Sequence, residues 1–185
     1  MERRNIVVAI TGASGAVYAQ SLLDKLRRLN NYVDQVAVIF SDQGRKVWEY
    51  ELQAPVPENS YSNNDFFAPF ASGSSVFDML IVCPCSMGTL GRIANGVSDD
   101  LIARSADVML KEKRALILVP REAPYNLIHL RNMQLATEAG AIICPASPSF
   151  YLHPATIADL VSTITDRVLK IARLPVDSKP WPNTG

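Results

Sequence analysis

Neither sign of charge prevails in this sequence, where eighteen Lys and Arg offset eighteen Asp and Glu over 185 residues. No global field therefore draws nucleic acid or an anionic membrane, and any anion site must come from local placement. Histidine is nearly absent, with only His129 and His153. Cysteine is scarce too, and Cys83, Cys85 and Cys144 form an odd set without metal-ligand spacing. That argues against a disulfide framework and against a metal site. The three read instead as small buried hydrophobes. A nucleophilic Cys85 at a strand end lacks a nearby histidine to activate it. No apolar run approaches a membrane span, and Met1–Arg4 leads straight into a short strand instead of a leader. A cytoplasmic protein that binds neither membrane nor nucleic acid is expected. Repeats and low-complexity runs are also missing. With 48% hydrophobic residues, residues 1–185 read as one domain around one core, ending in a proline-rich tail over 173–185.

Against these absences stands a regular alternation. Apolar strand candidates recur at 5–11, 34–40, 79–84, 114–119 and 141–144, with helical spacing at 16–30, 42–53, 86–95, 99–112, 126–139 and 155–172. Strands such as MLIVCP and ALILVP are almost continuously apolar, as expected when both faces are buried. The pattern predicts an α/β fold, a three-layer αβα arrangement of Rossmann/flavodoxin-like type with a parallel sheet covered by helices on both faces. The longest irregular connection, 53–75, is rich in Pro, Ser and Asn and suits a lid, a partner contact or plain slack.

The stretch AITGASGAVYAQSLLDKL, residues 9–26, joins an apolar strand to a helix through Gly12, Ala13, Ser14 and Gly15. Glycines there permit close approach, and the first helical amides carry the positive end of the dipole, so a phosphate fits. The plainer reading makes Ser14 a helix cap and nothing more. The turn is neither a dinucleotide fingerprint nor a Walker loop, because the G-x-G-x-x-G spacing and a following G-K-[ST] are missing. In an open parallel sheet ligands sit beyond the carboxyl ends of the strands, which puts Ser14, Ser41, Ser86, Thr89, Arg121 and Glu122 on one edge. Arg104 and Lys111, seven apart, share a helix face; they can serve one anion, or form an ion-pair ladder with Asp107 between them. His129 reads as satisfying a backbone group near a helix, and His153 as a loop residue at a helix start. Arg167 either lays its stem on apolar surface or meets a phosphate beside Tyr151. Trp181 in the polar tail either anchors that tail or covers a ligand.

The motifs TGASGA, PCSMGTL, RSADVMLKEKRALILVPREAP, IHLRNM, and SFYLHP followed by DRVL resemble, in order and spacing over about residues 5–172, the flavin prenyltransferases of the UbiX family. The resemblance implies reduced FMN as acceptor, dimethylallyl phosphate as donor, new bonds at flavin N5 and C6, no metal, a UbiD-type partner decarboxylase, and a homo-oligomer as large as a dodecamer. It also implies that Gly12, Ala13, Ser14, Ser41, Ser86, Met87, Gly88, Thr89 and Arg104 contact FMN. Lys111, Arg121, Tyr151 and Arg167 would clamp the prenyl phosphate with Trp181 nearby. Glu122 would handle protons, with Ser14, Lys111 and Arg121 as further catalytic groups. The chain departs from the family at Gly88, where many members carry Lys, and in its shorter tail. Two other classes fit less well. An FMN-dependent cysteine decarboxylase of the same fold would show an early histidine and a P-x-S-A-N turn. A flavin carrier would need no second anion site such as Arg121 and Arg167 supply.

Overall fold

The computed structural model describes residues 3–176. Its strands are β1 (Arg4–Ile10), β2 (Val33–Phe40), β3 (Ser60–Ser62), β4 (Met79–Cys85), β5 (Ala115–Pro120) and β6 (Ile142–Ile143). All pair in parallel, in the order β3-β2-β1-β4-β5-β6. The helices are α1 (Ala16–Arg28), α2 (Asp42–Leu52), α3 (Met87–Ala94), α4 (Leu101–Lys111), α5 (Leu127–Glu138) and α6 (Ile157–Ile171). Each expected element forms, with its ends within two residues of the expected place. Strand β3 was not expected. Its Ser-Tyr-Ser run has no apolar signal, and it forms because the outer edge of β2 offers unpaired backbone groups.

Alternation along β1 divides the core. Ile6, Val8 and Ile10 pack with Leu22, Leu23 and Leu26 of α1 and Ile164 and Val168 of α6. Val7 and Ala9 point the other way, to Leu90 and Ile93 of α3 and Leu101, Ala106 and Met109 of α4. Burial on both faces explains the unbroken apolar runs in β4 and β5. Cys83, Cys85 and Cys144 are free and buried, as small hydrophobes should be.

The 53–75 stretch, with the residues after it, is no slack. Asn63 accepts from the Leu101 and Ile102 amides at the start of α4. Arg104 Nε donates to the Ala71 carbonyl at 3.0 Å, and Arg114 donates to the Gly73 and Phe77 carbonyls at 2.8 and 3.2 Å. Phe70 and Phe77 stack edge to face beneath it, ring centres 5.3 Å apart. The segment is strapped along α4 from end to end.

No helix among the described residues is long and apolar enough to cross a membrane. The tail beyond Val176, including Trp181, lies outside the described residues.

Candidate functional site

The strand order reverses direction between β1 and β4, where open sheets of this kind leave a crevice at the carboxyl edge. Thr11, almost fully buried, closes its floor: the Thr11 hydroxyl donates to the Pro84 carbonyl at 2.7 Å and accepts from the Ser86 amide at 2.8 Å. Beside it, Ser41 caps α2 by accepting from the Gly44 amide, and Ser86 caps α3 by accepting from the Thr89 amide. The Ser86 hydroxyl donates in turn to Thr89 Oγ1 at 3.1 Å. The expected hydroxyls thus converge as two adjacent helix starts. Met87 is buried under them, while Gly88 is exposed and a side chain there would meet nothing within 4 Å. Thr11 went unnoticed in the sequence because a strand-end threonine carries no local signal of being pinned from across the sheet.

The start of α1 differs from both. Its cap is Gly15 at φ 112°, with no side-chain cap, so Ser14 is not the cap that the plainer reading supposed. The positive charge there is already met. Glu51, in the last turn of α2, accepts from the Gly15 and Ala16 amides, each at 2.8 Å. Helix α2 lies across the turn, with Gln43 against Gly12 at one end and Glu51 against Gly15 at the other. Partial burial would raise the Glu51 pKa, but the Ser14 hydroxyl, the two amides and Arg121 outweigh it and hold the carboxyl below its ordinary value. The open anion seat expected at α1 is therefore filled by the chain's own carboxylate. No periodicity or spacing in the sequence links Glu51 to Gly15, 36 positions away.

Arg121 leaves the end of β5 and turns over the same helix start, where its Nε donates to the Ser14 carbonyl at 2.9 Å. No described residue accepts from its two terminal nitrogens. Glu122 is exposed; among the described residues it accepts only from the Ala123 amide and forms no ion pair with Arg121. Cys85, below them, is pushed up to about 12 by burial and stays a neutral thiol, which ends its case as a nucleophile.

Tyr151 and Arg167 come together on the wall of a cavity of about 620 Å³ between the chain after β6 and helix α6. Arg167 is exposed there, not laid on apolar surface, and its charge reaches the Cys144 thiol. The capping box of Thr156 and Asp159 fixes the start of α6 below the cavity. His153 lies at φ 51° in the loop before it. His129 caps α5 with Asn126 and is engaged locally, as expected.

Arg104 and Lys111 lie at opposite ends of one helix, Arg104 one turn from the α4 start that Asn63 holds just beyond β3, and Lys111 in the last turn. Both ride on α4, on the opposite face of the sheet from α1 and α6. Arg104 pairs with Asp107 at 2.8 Å, half of the ladder the spacing allowed, while Lys111 pairs with Glu112. Lys111 precedes β5 and Arg121 follows it, so the six residues of β5 separate them, about 20 Å of strand. One chain cannot close both around a single phosphate. Among the described residues no group of His, Cys, Asp or Glu could hold a metal ion.

The sequence pattern of the Flavoprotein family matches residues 1–169. A flavin prenyltransferase UbiX from Methanocaldococcus jannaschii is 45% identical over 172 residues, covering 90% of this chain and 91% of that protein. The crystal structure of AnUbiX (PadA1) in complex with FMN and dimethylallyl pyrophosphate superposes with a TM-score of 0.90 at 41% identity, covering 98% of this chain and all of that one. A dodecameric FMN-dependent UbiX-like decarboxylase from Escherichia coli O157:H7 gives a TM-score of 0.92 at 37% identity, covering 97% of this chain and 100% of that one.

Proposed function

From a chain that belongs to the UbiX flavin prenyltransferase family, we infer an enzyme that transfers a dimethylallyl group from dimethylallyl phosphate to N5 and C6 of reduced FMN, without a metal. The observation that carries this reading is the pairing of a hydroxyl-lined crevice at the β1/β4 switch with two arginines, Arg121 and Arg167, whose terminal nitrogens no described residue engages. Reduced FMN supplies the nucleophilic ring atoms.

The residues present suit FMN. Gly88 leaves open space beside the caps of α2 and α3, where Ser41, Ser86 and Thr89 offer hydroxyls and helix amides to a phosphate. Glu51 would repel a phosphate from α1, so Gly12, Ala13 and Ser14 are assigned to the ring and not to the phosphate. Arg121, Tyr151 and Arg167 bind the donor phosphate and stabilise the charge that builds on it as the allylic bond ionises. Glu122, which forms no ion pair among the described residues, gives a proton to the prenyl double bond once the N5 bond has formed, and takes back the proton that leaves flavin C6 as the ring closes. Arg104 is assigned to FMN, while Lys111 reaches the phosphate held by Arg121 only from a neighbouring copy, so the active unit is a homo-oligomer, up to a dodecamer, with sites completed across subunits. The prenylated flavin then passes to a UbiD-type decarboxylase.

Anaerobic incubation with reduced FMN and either dimethylallyl phosphate or the diphosphate, followed by mass spectrometry of the bound flavin, tests the reaction. A prenyl-sized addition with phosphate release is expected; unchanged flavin with both donors overturns the assignment.

A further inference from the structure

Gly15 combines a backbone conformation that L side chains rarely adopt with a crowded neighbourhood. A Cβ placed on it would lie 2.9 Å from Cδ2 of Tyr18 and 3.9 Å from Cγ of Arg121. The Tyr18 ring and the Arg121 stem therefore converge on the space the glycine leaves empty. Tyr18 sits one turn into α1, its amide bonded to the Gly15 carbonyl at 3.0 Å. It is half-buried, packed against the α1/α6 core, with its phenol near enough to the Cys83 thiol and the Arg121 guanidinium for each to bias its ionisation. Among the described residues the Arg121 side chain has one hydrogen bond, from its Nε to the Ser14 carbonyl. One hydrogen bond fixes a point, not the direction of a long side chain with many rotamers.

We propose that Tyr18 is a positioning residue for Arg121: its ring and Gly15 form a seat for the arginine stem, so that both terminal nitrogens face the ligand edge. Burial above all, and then Cys83, raise the phenol pKa above its ordinary value against the pull of Arg121, so Tyr18 stays neutral and does not cancel the charge it holds in place. This rests on the reading of Arg121 as a ligand of the donor phosphate.

The test is a double-mutant cycle on the full oligomer with dimethylallyl phosphate. Tyr18→Leu is expected to raise KM for the donor about tenfold and leave the FMN Kd unchanged, while Tyr18→Phe, which keeps the ring, stays within about threefold of the parent. In an Arg121→Ala background, Tyr18→Leu should change nothing further. A KM unmoved by Tyr18→Leu, or effects that multiply in the double variant, would overturn the seat. Should the leucine variant fail to fold, Tyr18→Met carries the same cycle. If the parent transfers no prenyl group, the functional reading fails first; binding of inorganic phosphate by the same four proteins, followed by calorimetry, then decides the seat alone.

Discussion

The two helical layers that cover the sheet differ in what they leave for a ligand. On the α3/α4/α5 side four cations are engaged within the chain: Arg104 with Ala71 and Asp107, Arg114 with Gly73 and Phe77, Arg92 with Asp99 and Asp100, Lys111 with Glu112. On the α1/α6 side Lys25 pairs with Asp166 between the two helices, but among the described residues Arg121 keeps two donors unengaged, Arg167 stands open at a cavity, and Glu122 forms no ion pair. Charge tied to main-chain carbonyls holds a long strap against its helix. Charge left unsatisfied at a strand end costs stability and is kept where a ligand will meet it. The layers also differ in their outer faces. Helix α6 buries Val161, Ile164, Val168 and Leu169, whereas α5 buries only Ala136 and exposes Leu127, Ile128, Leu130 and Leu135.

If that contrast is functional, substitutions in the two layers should read out in different assays. The largest effect belongs to Glu122→Gln, which keeps size and hydrogen bonding but cannot shuttle a proton. Turnover at saturating donor should fall about a hundredfold or more, with FMN affinity unchanged. A parent-like rate would remove Glu122 from the chemistry. Next, Arg121→Ala should raise the donor KM about thirtyfold and leave the melting temperature in place. Mixing it, after dissociation and reassembly, with Lys111→Ala should return a fraction of sites to the parent's donor KM, which neither variant shows alone. Failure to recover, or a fully active monomer in sedimentation, would show that the two layers do not meet across copies.

On the other side, Arg114→Ala should cost about 2 kcal/mol of stability, since two carbonyls lose a charged donor, while kcat and KM hold. Denaturant unfolding reads the first and steady-state kinetics the second; a kinetic defect without instability would invert the comparison. The smallest effect sharpens it. The Glu51 pKa is depressed in the folded chain, so its contribution is complete above the unfolded-state value of 4.5 and is lost as pH falls through the lower folded value. Glu51→Gln should be less stable than the parent at neutral pH, and the gap should close below that range. A gap of constant size from neutral to acid would mean that the carboxylate charge does not hold the α1 start.

The elements themselves were set locally. Apolar runs of strand length in MLIVCP and ALILVP, helical spacing after each, and capping residues at Ser41, Ser86, Asp100, Asn126 and Thr156 place every strand but β3 and every helix, because these signals are carried by neighbours within a few positions. The strand-end residues Ser41, Ser86, Thr89, Arg121 and Glu122 followed from the same pattern, since a parallel sheet gathers its carboxyl ends on one edge. Tertiary structure alone decided the rest. Helix α2 swings across the β1 turn and delivers Glu51 to amides that looked vacant, and Thr11 is pinned from β4, 73 positions away. Lys111 and Arg121 are ten positions apart in sequence yet stand at opposite ends of β5, because a strand carries its two flanks as far apart as the chain can reach. Spacing along a helix or strand reports which face and which end a residue occupies; which distant group meets it there depends on how the layers pack.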